Sequence, residues 1–215
     1  MKIEYLGHSC FKITTKNGRT VLTDPYTGVG YELPQPLTAE FVTVSHEHFD
    51  HNYTNAIHYK QVIKTLSGVK QKDLEITGIK TFHDNCGGKL RGENTVYLIK
   101  ADGICVCHLG DIGENCELAL IERLEAPDVL LVPVGGTYTI DAVGAKAYIS
   151  ALKPKIAILM HYKPSDGKID IVGAEKFLAL CEGEEVYAPT ENWIEISGET
   201  LQRERTLFVY LQRGE

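Results

Sequence analysis

Apolar and polar positions alternate over short stretches in the first half of the chain, a period of two that predicts strands. Residues 2–6, 10–15 and 20–23 read as three successive strands. Asn17-Gly18 between the second and third predicts a tight type I′ hairpin, because both residue types tolerate positive φ. Asp24-Pro25 stops this meander, and a loop rich in Gly, Pro and Tyr follows as far as Pro36. Residues 41–45 form a compact apolar run that reads as a buried strand leading straight into His46. Residues 79–82 are a further strand, ending at His83. Residues 95–101 and 104–109 flank Asp102-Gly103 and predict a second hairpin.

Beyond Asp111 the period changes. Residues 116–124 carry apolar side chains at helical spacing, and Pro127 precedes a strand over 129–132. Thr139 or Asp141 can cap a helix that runs to Leu152 and is closed by Pro154. Residues 156–160 form another buried strand, which delivers His161. An amphipathic helix is expected over 172–181, then short strands near Val186, over 193–196 and over 207–211. Early strands followed by alternating strands and helices predict one α/β domain over residues 1–215, with sheets packed between helices.

The 215 residues suffice for one well-cored domain, and 43% hydrophobic with 24% charged residues excludes wholesale disorder. Lys+Arg of 22 against Asp+Glu of 29 gives a net charge of −7, which speaks against a nucleic-acid-coating protein. No apolar run approaches the ~20 residues of a membrane span. The N-terminal stretch places Glu4 where a signal peptide needs apolar residues, so a cytoplasmic location is expected, with no membrane partner. The six cysteines then read as reduced thiols. Cys105-Val106-Cys107-His108 has the look of a metal motif, but period-2 spacing puts both thiols on one face of a strand.

The segment His46-Glu47-His48-Phe49-Asp50-His51 carries the chemistry. Three histidines and an aspartate in six positions are ligand types for a divalent transition metal. In extended chain His46 and His48 share a face and can bind one ion together. Asp50 and His51 are adjacent and diverge unless the chain turns there.

His-x-His-x-Asp-His after a buried strand resembles the signature of the metallo-β-lactamase superfamily. His83, Asp111 and His161 follow in the order that family shows, and Asp24 matches its early aspartate, which braces the metal loop. The resemblance covers essentially the whole chain. It implies a four-layer αβ/βα sandwich, two mostly antiparallel or mixed sheets between helices. It also implies that His46, His48 and His83 hold one metal, that Asp50, His51 and His161 hold another, and that Asp111 bridges them. His83 is preferred to His108 on independent grounds, since His108 lies three residues before Asp111 and regular pleating points the two to opposite faces. Gly7-His8-Ser9-Cys10-Phe11, His108-Leu109-Gly110-Asp111 and residues 133–139 are similar to prokaryotic hydrolases related to ascorbate-6-phosphate lactonase.

Two divalent ions ~3.5–4 Å apart can share a water and bring its pKa toward ~7, giving a hydroxide nucleophile at neutral pH. The resemblance therefore implies a dinuclear hydrolase of an ester, lactone or similar small anionic substrate. Asp50 is the candidate for handling the proton, and His8 for a catalytic or hydrogen-bonding role beside it. Zinc is the expected ion, with manganese or iron also compatible. His48 stands where the di-iron oxidoreductases of the superfamily carry Glu, which favours hydrolysis. The alternatives are a phosphodiesterase or nuclease using the same ions, and a non-catalytic metal-stabilised binding module. Only ~50 residues separate Asp111 from His161, too few for the extra domain of RNA-processing relatives, so a nucleic-acid partner is disfavoured. A homo-oligomer is compatible with the sequence. The loop bearing Lys89 and Arg91 reads first as a solvated flexible loop and second as a receiver for an anionic group, and Tyr26, Tyr31 and Tyr138 can wall a pocket or simply pack. His58 is expected at the surface.

Overall fold

The computed structural model describes residues 1–214. Fourteen strands form two mixed sheets. The first contains β1 (Lys2–Gly7), β2 (Cys10–Thr14), β3 (Thr20–Thr23), β4 (Leu37–Thr43), β5 (Ile57–Ile63) and β13 (Trp193–Glu195), in the order β13-β1-β2-β3-β4-β5. The second is ordered β12-β14-β11-β10-β9-β8-β7-β6. It comprises β6 (Val69–Gln71), β7 (Leu74–Phe82), β8 (Glu93–Ala101), β9 (Ile104–His108), β10 (Val129–Pro133), β11 (Ile156–Met160), β12 (Val186–Tyr187) and β14 (Leu207–Val209). Three short helices, α1 (Leu118–Arg123), α2 (Ala142–Leu152) and α3 (Glu175–Ala179), accompany the second sheet.

Alternation decides which side chain enters which layer. Ile3, Tyr5, Phe11, Ile13, Val21 and Phe41 lie in the core between the sheets, packed with the β7–β11 residues and helix faces. Their neighbours Leu6, Cys10, Leu22 and Val42 point the other way. There Tyr26, Val29, Tyr31 and Leu33 from the loop after Asp24 cover them, so this layer is built mainly of loop. In β10 and β11 every residue is buried, as parallel strands covered on both faces require. Asp141 caps α2 by accepting the Gly144 N–H at 2.9 Å, an arrangement worth about 1 kcal/mol. No helix among the described residues is long and apolar enough to cross a membrane.

Two expectations are corrected. Gly18 alone takes positive φ in the first hairpin, while Thr15 accepts from Gly18 N and donates to Arg19 O, so the loop has three residues and a left-handed glycine. The I′ pattern belongs to the second hairpin, where Asp102 (φ 57°) and Gly103 (φ 75°) are both left-handed. The last helix is shorter than 172–181, because Val172 spends its N–H on Gly135 O and its carbonyl on Lys163 N before any helical turn can use them. All six cysteines are free thiols, with Cys107 buried and Cys105 partly exposed.

Strand direction brings the chemistry to one end of the molecule. In the first sheet β1, β3 and β4 run the same way, as do β7, β9, β10 and β11 in the second. His8 follows β1, Asp24 follows β3, and residues 44–51 follow β4. His83, Asp111 and His161 follow β7, β9 and β11.

Candidate metal centre

The segment after β4 leaves strand geometry at Val44, bends through residues 45–48 and turns at Phe49, so His46 and His48 meet on a bend and not on the extended chain that their spacing suggested. His51 N and Asn52 N both donate to the His48 carbonyl, at 3.0 and 3.1 Å. That turn is what allows Asp50 and His51 to face inward together. The ligand-capable atoms of His46, His48 and His83 lie within 4.8 Å of one another, and those of His8, Asp50, His51 and His161 form a second such group. A third group, His46, His51 and Asp111, joins them. One carboxylate oxygen, Asp111 Oδ2, stands 3.1 Å from His161 Nε2, 3.3 Å from His51 Nε2 and 3.4 Å from His83 Nε2. The structure thus brings together all seven residues named as metal ligands, with His8 beside them.

The donor set fits a cation. His46 Nε2, His51 Nε2, His161 Nε2 and Asp111 Oδ1 are buried and make no hydrogen bond. Buried polar atoms rarely go unpaired, and four converging nitrogen and oxygen donors are the ligand chemistry of a transition-metal dication. The outer nitrogens explain the orientation. His51 Nδ1 donates to Asp24 Oδ2 at 2.9 Å, which leaves the Nε2 lone pair directed at the centre. Ser45 Oγ donates to Asp24 Oδ2 at 2.5 Å and accepts from His46 Nδ1 at 2.9 Å, aiming His46 Nε2 the same way. These tautomers follow from the hydrogen-bond network. Asp24 Oδ1 also accepts the Ser45 N–H at 2.8 Å, so one buried carboxylate fixes two histidines of the centre.

Other supports come from outside the motif. Asn94 Oδ1 accepts the Asp111 N–H at 2.9 Å, and its amide donates to Thr81 Oγ1 and to the Leu109 carbonyl. His8 donates its Nε2 hydrogen to Asp50 Oδ2 at 3.2 Å, while its backbone N–H donates to the Tyr31 hydroxyl. His8 (φ 53°), Asp24 (φ 37°) and His161 (φ 51°) all hold left-handed backbone, a strain that collects where side chains must be aimed.

The electrostatics follow from burial and neighbouring charge. Burial, then the proximity of His161, lowers the His8 pKa to about 4, so its imidazole is neutral at physiological pH. Burial likewise lowers His46 and His83. His51 is raised despite burial, because the Asp111 and Asp24 carboxylates flank it. Asp111 is held well below the usual carboxylate range against its own burial by His161 and His51.

Sequence reasoning missed Ser45, Asn94 and Asp84. Asp84 follows His83 and is buried; its carboxylate accepts four backbone N–H groups, from Cys86 (2.9 Å), Gly88 (2.8 Å), Leu90 (2.9 Å) and Arg91 (2.9 Å). The signal available was Asp-x-Cys-Gly-Gly, a turn-forming stretch after a strand. His108 stays out of the centre and donates from Nε2 to the Ser9 carbonyl at 3.0 Å. His58 is exposed on β5. Tyr26 and Tyr31 are buried packing residues, whereas Tyr138 is exposed.

Residues 2–161 match the family model of the beta-lactamase superfamily domain, and the chain belongs to that family. It is 31% identical over 195 residues to a UPF0173 metal-dependent hydrolase of Staphylothermus marinus, across 74% of this chain and 82% of the relative. A UPF0173 metal-dependent hydrolase of Thermoplasma acidophilum is 29% identical over 211 residues, 84% and 91% of the two chains. A crystal structure from Thermotoga maritima, assigned to the metallo-beta-lactamase superfamily, superposes with a TM-score of 0.77 at 34% identity, covering 98% of this chain and 99% of that one. Fold, centre and relatives agree: this is a metal-dependent hydrolase of the metallo-β-lactamase superfamily.

Proposed function

We propose that the chain hydrolyses a small anionic ester or lactone at a dinuclear centre. His46, His48 and His83 would hold one ion, and Asp50, His51 and His161 the other, with Asp111 between them. The observation that carries this reading is the position of Asp111, whose single carboxylate reaches histidines of both groups. Zinc is the preferred ion on the strength of the histidine-rich donor set, and the Thermotoga maritima protein is itself proposed to be Zn-dependent. Bound dications would activate water and polarise the substrate carbonyl.

The chain's own groups complete the reaction. Asp50 is partly accessible and can take a proton from the attacking water at Oδ2, then return it to the leaving oxygen. Neutral His8 donates Nε2–H to that same oxygen and sets the carboxylate's orientation. The bonds from the His8 N–H to the Tyr31 hydroxyl and from His161 N to the His8 carbonyl hold the residue in its left-handed backbone and so keep the imidazole there.

A panel of 4-nitrophenyl acetate, γ- and δ-lactones and bis-4-nitrophenyl phosphate, assayed on metal-reconstituted protein, tests the proposal. Ester or lactone turnover that disappears on chelation is expected. Preferential phosphodiester cleavage, or turnover indifferent to chelator, would contradict it.

A further inference from the structure

The loop between His83 and β8 is a built element. Asp84 gathers four backbone N–H groups on one buried carboxylate, and His83 N donates to Gly92 O at 3.0 Å, closing the loop at its base. Gly113 packs beneath it, with no space for a Cβ, which would stand 2.6 Å from His83 C and Asp84 N. The loop is therefore tied along its length and at its base; it exposes Lys89 and Leu90 and carries the half-buried Arg91.

Arg91 crosses from this loop to the segment after β10. Its Nη2 donates to the Thr137 carbonyl at 3.1 Å, and the guanidinium lies over the Tyr138 ring at 5.6 Å. Thr137 is two residues beyond Gly135, which lies against the His161 backbone so closely that a Cβ there would be 2.1 Å from His161 O. Arg91 is thus fixed at one side to the His83 loop and at the other to the segment supporting His161. It spans the sheet end where both ligand groups emerge.

Its charge is unpaired. Arg19, Arg203 and Arg213 each meet a carboxylate, at Glu40, Glu185 and Asp166, whereas among the described residues Arg123 and Arg205 share with Arg91 the lack of one; Arg91 differs from those two in being tied to the His83 loop and to Thr137. Among the described residues no carboxylate lies within ion-pair distance of Arg91, and one bond to Thr137 leaves the other N–H donors of the guanidinium free. In a chain of net charge −7, this guanidinium sits on the loop that follows His83 with donors free for an anion. The preceding residue Leu90 is an exposed apolar side chain.

From this geometry we infer that Arg91 is a specificity-determining residue that binds an anionic group on the substrate, away from the scissile bond, and that Asp84 positions it. The substrate class is an ester or lactone whose acyl part carries a carboxylate or an equivalent anion. This rests on the hydrolase reading above and goes beyond it by assigning the anion a residue.

Two measurements on metal-loaded protein separate the inference from that reading. The first compares neutral 4-nitrophenyl acetate with 4-nitrophenyl hemisuccinate. Wild type should prefer the hemisuccinate by about tenfold or more in kcat/KM, carried by KM, and this ratio should collapse toward one in Arg91→Ala, whatever change in acetate turnover follows from the loss of the Thr137 contact. Arg91→Lys should restore part of it, since the charge returns without the planar fork. The second measures binding of 2-phenylethanesulfonate, whose sulfonate is a poor metal ligand, by calorimetry. Affinity should fall about tenfold in Arg91→Ala, with or without esterase activity. Failure of both esters to turn over would sink the ester reading alone. Sulfonate binding undiminished in Arg91→Ala, or a hemisuccinate preference that survives it, would overturn the role of Arg91.

Discussion

Asp24 and His51 stand 27 residues apart, yet Asp24 Oδ2 accepts the His51 Nδ1 hydrogen at 2.9 Å with both side chains fully buried. The same oxygen receives the Ser45 hydroxyl, which in turn holds His46. Neither histidine can turn its Nε2 away from the centre while Asp24 is ionised. The carboxylate is held below its ordinary range, against its burial, by the nearby His108 and the His51 hydrogen bond.

Asp24→Asn should therefore weaken metal binding without removing a ligand. The new amide places a donor opposite His51 Nδ1–H, and the tautomer that relieves the clash puts a hydrogen on Nε2, facing the ion. A loss of about 10–100-fold in metal affinity is expected, read by competition with a chromophoric chelator. Unchanged affinity would show that His51 orients itself.

How much of this was legible in the sequence depends on whether the partners are neighbours in the chain. His46, His48, Asp50 and His51 announce themselves because they share six positions after an apolar strand. The relay through Ser45 does not, since a serine before a histidine carries no signal until β3 brings Asp24 to it across 21 residues. Asn94 is equally silent, being one polar residue in the strand opposite β7. β5 escaped because His58-Tyr59-Lys60-Gln61 is exposed at a sheet edge and shows no alternation. The first hairpin was misassigned because Asn-Gly suits both a two-residue turn and a three-residue loop ending in a left-handed glycine.

Gly110→Ala should damage both stability and the centre. Its φ is +56°, and a Cβ would lie 2.4 Å from Asn94 Oδ1, the atom that accepts the Asp111 N–H. A cost of about 1–3 kcal/mol is expected from backbone strain and displacement of Asn94. Gly103→Ala is the control, with a similar φ of +75° and open space around it. Both variants should melt lower than wild type, and only Gly110→Ala should also lose metal affinity in a chelator titration. Equal metal affinity in the two would remove Gly110 from the account.

The Asp84 carboxylate gives a pH dependence with a definite sign. Burial opposes its ionisation, but the Arg91, Cys86 and Leu90 N–H groups and the Cys86 thiol lower its pKa below the ordinary value. A depressed folded pKa stabilises the fold above the unfolded value of about 3.9, and that stability is lost as pH falls through the folded value. Asp84→Asn should accordingly be less stable than wild type at pH 7 and pH 5, and the difference should narrow below about pH 4. Denaturant melts at pH 7, 5 and 3 measure this. A gap that is constant with pH would mean the loop is held by shape alone.

Asp111→Asn tests whether one carboxylate serves both ligand groups. The substitution is nearly isosteric, and the backbone bond to Asn94 survives it, so β9 and its neighbours should stay folded. Removing the charge should lower the affinity of the second ion far more than the first and abolish most activity. Metal content by mass spectrometry, with a thermal melt alongside, decides it. Two tightly held ions and full activity would exclude the bridging role.

The most direct test of the whole account is a titration of metal-free wild-type protein with zinc while ester or lactone turnover is followed. Activity should be absent at the start, rise with added metal, and level off at two equivalents per chain. Full turnover in the metal-free protein, or a plateau at one equivalent, would contradict a centre in which Asp111 joins two ions.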